Sequence, residues 1–353
     1  MNLKLSLASL PLLGLALLAP TTSVAQTPGG LQPGAQAPAF SLRDQAGKKQ
    51  DLNSLAGPNG LLLLFFRSAD WCPFCKGQLV DLEGSQKAFA AKGINVAAVS
   101  YDSTDILASF AHRRNITYPL LSDQGSKLID KFGIRNPEGS GIEAGIPYPG
   151  YYLIDPQGKI KSRFFETAYV NRLTASNLYA YLFGNFALPV AEKQVSGTPH
   201  VTIATGQSDT SVTPGSLVRL LVNITPGPDT HVYGPGADKL DYHVTTLTIA
   251  PSDLYQATAV SYPTPKPLEF PELHQTVPVY TGPTVFSVNV AAVVNRNTIP
   301  IFAKEPNLPI KGEIAYQACT STVCYPPAKA EVEWNLNLKQ LDLVRAPDDI
   351  QHK

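Results

Sequence analysis

Leu61-Leu62-Leu63-Leu64-Phe65-Phe66-Arg67-Ser68-Ala69-Asp70-Trp71-Cys72-Pro73-Phe74-Cys75 is the stretch on which the fold turns. Its first six residues form an unbroken apolar run, the pattern of a strand buried on both faces. Downstream, Cys75, Leu79, Leu82 and Phe89 recur at helical spacing. The two cysteines therefore fall where a buried strand hands over to an amphipathic helix. That puts Cys72 at the helix N-terminus, where unpaired N–H groups and the macrodipole stabilise a thiolate. Pro73 suits the first turn, because its missing N–H would have no intrahelical partner. With two residues between them, Cys75 can reach back and close a disulfide. Cys72 is then expected to be the exposed, attacking sulfur and Cys75 the shielded, resolving one. The competing uses of such a pair are a static disulfide or half a zinc site. Zinc wants a second C-x-x-C close by, and the remaining cysteines lie far off at 319 and 324.

Outward from this stretch, strand-like and helix-like segments alternate. Ile94 to Tyr101 reads as a strand, Thr104 to Arg114 as a helix, and Ser126 to Phe132 as a shorter helix. Tyr151 to Ile154 and Lys159 to Phe165 flank Asp155-Pro156-Gln157-Gly158 as a β-hairpin, and Val170 to Phe183 reads as a closing helix. The expectation is an α/β sandwich with a mixed sheet over residues 26–186.

Beyond that the composition changes. Nineteen of the 31 prolines lie after residue 186, and no helical period is convincing there. Short Val/Ile/Thr-rich runs recur instead: His200 to Thr205, Leu217 to Ile224, His243 to Ile249, Thr284 to Val294, Ile310 to Gln317 and Ala330 to Leu338. Separated by Pro/Gly clusters, they predict an antiparallel β-sandwich over 199–340. Residues 187–198 read as a linker and 341–353 as a polar, frayed tail. Cys319 and Cys324 are joined by a four-residue loop between two strand-like runs, so they can face each other across a hairpin.

Met1 to Gln26 has Lys4, an apolar run from Leu5 to Leu18, and Thr21-Thr22-Ser23-Val24-Ala25. These are the three parts of a secretory signal peptide, with cleavage expected after Ala25. The run is shorter than the roughly 20 residues a spanning helix needs. Export, without stable membrane insertion once the signal is removed, implies a compartment where disulfides persist. Lys and Arg total 28 against 28 Asp and Glu, a balance that argues against a nucleic-acid partner, which calls for a basic excess. The six histidines form no H-x-H or H-x-x-x-H pair, so no metal or cofactor is expected.

Residues 32–185 resemble the redoxin branch of the thioredoxin-like superfamily, which includes the AhpC/TSA proteins. The stretches that carry this are Gly34-Ala35-Gln36-Ala37-Pro38-Ala39-Phe40 with Leu42, Leu61 to Cys75, and Pro149-Gly150-Tyr151-Tyr152-Leu153-Ile154-Asp155. The resemblance implies a thioredoxin-like fold and makes Pro149 the cis-proline facing the disulfide, with Pro147 the competing candidate. Gly139-Ser140-Gly141 reads as a flexible loop beside it. Peroxidatic sites of this superfamily look like P-x-x-x-T/S-x-x-C; here Phe65 and Ala69 occupy the Pro and Thr/Ser positions. Arg67 and Arg163 could supply the cation that polarises a peroxide, but surface charge is the plainer reading of each. Asp70, if close, would raise the thiol pKa.

Tyr316-Gln317-Ala318-Cys319 with Cys324-Tyr325-Pro326-Pro327 resembles the N-terminal periplasmic domain of the thiol:disulfide interchange protein DsbD, an immunoglobulin-like sandwich that relays electrons. His231-Val232-Tyr233 and the Pro-Gly loop after it fit the same pattern. The resemblance implies that Cys319 and Cys324 form a second exchanging pair, against the plainer reading of a structural staple.

The expected protein is thus an exported, periplasmic thiol–disulfide oxidoreductase whose partners are protein dithiols and disulfides. Trp71, Pro73, Phe74 and Pro149 frame its active surface, and Cys319/Cys324 relay electrons, in the same chain or with a separate donor. A thiol peroxidase and a non-enzymatic binding module with structural disulfides are the alternatives.

Overall fold

A computed structural model describes residues 29–166, 168–184 and 192–353; the signal peptide and residues 187–191 of the expected linker lie outside it. The first domain runs β1 (Leu42–Asp44), β2 (Lys49–Gln50), α1 (Leu52–Leu55), β3 (Gly60–Phe65), α2 (Pro73–Ala91), β4 (Ile94–Ser100), α3 (Thr104–Arg114), β5 (Leu120–Ser122), α4 (Lys127–Lys131), β6 (Gly150–Ile154), β7 (Ile160–Phe165), β8 (Arg172–Leu173) and α5 (Ala175–Phe183). Seven strands form one mixed sheet in the order β2-β1-β5-β4-β3-β6-β7, with β3 parallel to β4 and antiparallel to β6. Every residue of β3 is buried, as its two-faced packing requires, and each such Leu or Phe contributes roughly 1.5–3 kcal/mol. One face packs on α2 and α5 through Leu79, Leu82, Phe89 and Leu178; the other holds Leu61, Leu63, Phe65, Phe132 and Tyr152. This is the thioredoxin-like α/β sandwich.

The closing helix begins later than expected. Thr174 caps α5, its side chain accepting from Asn177 N, while Arg172 and Leu173 form β8 and pair in parallel with Ser216 and Leu217 of the second domain. Intersheet pairing thus overrides helical propensity before residue 174.

That second domain contains β9 (Lys193–Val195), β10 (Val201–Gln207), β11 (Ser211–Val212), β12 (Ser216–Pro226), β13 (His231–Tyr233), β14 (Thr246–Ile249), β15 (Tyr255–Ala257), β16 (Lys266–Phe270), β17 (Gln275–Tyr280), β18 (Thr284–Ala292), α6 (Thr298–Lys304), β19 (Asn307–Tyr316), β20 (Ala318–Cys319) and β21 (Ala328–Leu338). β15-β18-β12-β10-β9 forms one sheet, β11-β21-β19-β14 a second and β16-β17-β13-β20 a small third. Alternating buried residues of β12 and β21 fill the space between the larger sheets, as an immunoglobulin-like sandwich demands. Two expectations are corrected here. The sandwich begins inside the expected linker, because β9 pairs with β10. It also contains the seven-residue helix α6, too short for its period to stand out in the sequence.

The expected frayed tail is a third correction. Residues 342–352 fold back onto the first domain, where Asp342, Arg345 and His352 find ion-pair partners.

Candidate functional site

Cys72 is the N-cap of α2, and its Sγ accepts a hydrogen bond from Cys75 N at 3.3 Å. Pro73 occupies the first turn, and Cys72 and Cys75 are disulfide-bonded with Cα atoms 5.3 Å apart. A sulfur in this place receives both an amide donor and the positive end of a 19-residue helix, which favour its thiolate when reduced. Trp71 donates its indole N–H to the Tyr101 hydroxyl at 2.9 Å, and that hydroxyl donates to the Ile142 carbonyl. Arg67 is not a solvated surface charge. It is 8% exposed, pairs with Glu143 at 2.5 Å and lies over Trp71 and Tyr169 at 4.8 and 5.1 Å. The loop after Gly139-Ser140-Gly141 is what supplies Glu143. Arg163 lies over Phe165 and donates to the Gly29 carbonyl.

Two expectations fail at this site. No peptide bond among the described residues is cis, so Pro149 lacks the expected cis geometry. Pro149 is still buried just before β6, and its neighbour Gly150 lies opposite Phe65 at the end of β3. Nor is Cys72 exposed: it is 1% accessible, and Cys75 is fully buried. The second domain packs against the same helix start. Loop 213–215 abuts the first turns of α2, so that a Cβ on Gly77 would lie 2.6 Å from Thr213 Oγ1 and one on Gly215 3.6 Å from Phe74 Cδ1. Leu217 of the sandwich and Ala346 of the tail join the same apolar cluster as both cysteines, Trp71 and Phe74.

The second pair has the asymmetry the first lacks. Cys319 lies in β20 opposite His231 of β13, and Cys324 bridges back to it, the two being disulfide-bonded with Cα atoms 4.1 Å apart. Cys319 is fully buried while Cys324 is exposed. The Tyr233 hydroxyl donates to Cys319 Sγ at 3.1 Å and lies 3.5 Å from Cys324 Sγ. Burial pushes that hydroxyl up to about 12, with Tyr242, stacked on it at 4.4 Å, adding to the effect. Tyr233 stays a neutral donor. Sequence reasoning placed His231-Val232-Tyr233 in the pattern without seeing this hydrogen bond; the alternation of strand side chains toward one face was the available signal.

The structure does not bring the pairs together. Loop 213–215 at α2 leads into the start of β12, whereas β12 ends at Pro226, paired with Val201 and five residues before His231. Eleven strand residues span about 36 Å, so the disulfides lie at opposite ends of the sandwich.

Residues 33–163 match the model of the AhpC/TSA family, and residues 202–335 that of the thiol:disulfide interchange protein DsbD, N-terminal. Thiol-disulfide oxidoreductase ResA of Bacillus thuringiensis (strain Al Hakam) is 28% identical over 153 residues, 43% of this chain and 78% of that protein. A provisionally named peroxiredoxin of Mycobacterium tuberculosis is 30% identical over 133 residues, 37% of this chain and 82% of its own length. The crystal structure of the peroxidoxin BcpB from that organism is similar at a TM-score of 0.35 and 25% identity, covering 38% of this chain and 86% of BcpB.

Proposed function

Because this chain belongs to the AhpC/TSA family through its first domain, joined to a DsbD N-terminal domain, we propose that its thiol–disulfide oxidoreductase chemistry runs through Cys72 and Cys75. The observation that carries this is the Cys72 sulfur acting as N-cap of α2 and accepting the Cys75 amide at 3.3 Å. In the reduced chain the Cys72 thiolate attacks one sulfur of a partner protein's disulfide. A Cys72–partner bond forms, the partner's S–S bond breaks, and its second sulfur leaves as a thiolate. Cys75 then loses its proton and attacks Cys72 Sγ, releasing the partner dithiol and leaving the Cys72–Cys75 disulfide. Two electrons pass to the partner, and a separate dithiol protein restores the pair. Access requires loop 213–215 to part from α2 while the tail stays docked.

Cys319 and Cys324 form a second exchange site, attacked at exposed Cys324 with buried Cys319 as leaving group. Export to the periplasm, directed by Met1 to Ala25, supplies the compartment; a mature N-terminus at Gln26 in a periplasmic fraction tests this.

Peroxide reduction is the second reading, favoured by the 30% identity to the mycobacterial peroxiredoxin. Against it, Ala69 is buried where a Thr or Ser would face the peroxide, and the adjacent Ser68 hydroxyl is spent on Asp102 at 2.8 Å. The test is insulin reduction beside peroxide consumption, each with a dithiol donor. Insulin turnover that Cys72→Ser abolishes supports exchange, whereas peroxide turnover alone transfers the site to the second reading.

A further inference from the structure

The carboxylate two residues before the first disulfide is neutralised from the far end of the chain. Asp70, two residues before Cys72, is fully buried, and among the described residues its one ion pair is with Arg345. Arg345 presents Nε at 3.0 Å to one carboxylate oxygen and Nη2 to the other, a bidentate fork. The amides of Ala346 and His352 donate to the same carboxylate at 2.9 and 3.0 Å. The tail that delivers these groups is itself pinned. Asp342 pairs with Arg113 at 2.7 Å, buried Lys76 donates to the Val344 carbonyl at 2.7 Å, and His352 meets Asp102 at 2.7 Å while stacking on Tyr101. Burial alone would raise the Asp70 carboxyl; the Arg345 fork and the tail amides overcome this and hold it below the ordinary carboxylate value. An uncompensated negative charge here would oppose a second one forming at Cys72.

We propose that Arg345 is a positioning residue for the Cys72 reaction: by neutralising Asp70 it lets Cys72 ionise, so that the docked tail activates the thiol and its release deactivates it. The other charged groups around the cysteine are Lys76 on α2, Arg67 with Glu143, Asp102 with His352, and Arg172 with Glu166. Lys76 donates its ammonium to the Asp70 backbone carbonyl at 2.9 Å, but none of these groups ion-pairs with the Asp70 carboxylate, so removing Arg345 takes away that carboxylate's one ion-pair partner among the described residues.

This rests on Cys72 being the exchanging nucleophile, and the test separates the two. In full-length Cys75→Ser protein with Cys319–Cys324 oxidised, Cys72 is the single free thiol, and its alkylation by iodoacetamide is followed against pH. The midpoint is the readout, because tail release also changes access and hence the plateau rate. Arg345→Gln is expected to raise the midpoint by about one pH unit, slowing alkylation at neutral pH up to about tenfold. Asp70→Asn/Arg345→Gln should restore the parental midpoint, and Arg345→Lys should keep it. An unmoved midpoint in Arg345→Gln, or an equal shift in the double variant, overturns the role of Arg345. If instead the Cys75→Ser parent forms no mixed disulfide with insulin, it is the exchange reading that falls.

Discussion

At the scale of single residues, the chemistry is decided by what donates to each sulfur. The Tyr233 hydroxyl donates to Cys319 Sγ, so on the proposed attack at Cys324 it would stabilise the departing Cys319 thiolate. Tyr233→Phe removes a bond worth about 1 kcal/mol, and reduction of the Cys319–Cys324 disulfide by a small dithiol should slow by roughly fivefold with Cys324 still exposed. Stopped-flow rates would check this, an unchanged rate denying the hydroxyl any part. The cysteines themselves were legible in the sequence, because a C-x-x-C between a buried strand and a helix defines its own surroundings within fifteen residues. Asp70 was not. Its adjacency to Cys72 was plain, but the sign of its effect depends on Arg345, 275 positions away. Pro149 failed for a related reason: its cis geometry rested on resemblance alone.

At the scale of elements, the joint between α2 and the sandwich carries a half-buried pair of acids. Asp81 of α2 accepts from Ala175 N at 2.6 Å, and Asp209 accepts from Thr174 Oγ1 at 2.7 Å. Burial and then the Asp209 charge push Asp81 up to about 7, with Lys339 as the opposing cation. Between roughly pH 4 and 7 the folded chain therefore holds a proton that the unfolded chain releases, and stability falls as pH rises through that window. Asp81→Asn keeps the acceptor for Ala175 and removes the charge. Its stability should match the parent near pH 4 and exceed it at pH 8 by about 2 kcal/mol after allowing for partial exposure, read as a higher thermal midpoint. Equal midpoints at pH 8 would contradict this. The same joint explains the helix that began late: Asn177 Nδ2 donates to the Leu217 carbonyl at 3.1 Å and to Asn289 Oδ1 at 3.0 Å, contacts no local periodicity encodes. Asn177→Ala should loosen the joint by about 1–2 kcal/mol and quicken alkylation of reduced Cys72; unaltered labelling would mean that access does not run through this interface.

At the scale of the whole molecule, two redox-type pairs on one polypeptide suggested an internal relay, yet the sandwich holds them apart by the length of β12. In this arrangement a covalent tether cannot raise the effective concentration of one pair at the other, since the geometry forbids simultaneous engagement. Electron exchange between the pairs should accordingly proceed between molecules, with a rate that grows in proportion to protein concentration; a concentration-independent rate would show that the domains separate and meet again within one chain. The two fold classes were legible from composition and periodicity. Their docking, with β8 in the neighbour's sheet and the tail folded over α2, was not, because it depends on residues that meet only once both domains are formed.

The central claim, that Cys72 is the attacking sulfur, is tested most directly by mixing reduced Cys75→Ser protein with an oxidised protein substrate. The adduct is then mapped by mass spectrometry. The account predicts a stable mixed disulfide at Cys72, absent from Cys72→Ser/Cys75→Ser protein. An adduct at Cys324 alone, or none at all while the parent still reduces insulin, would contradict it.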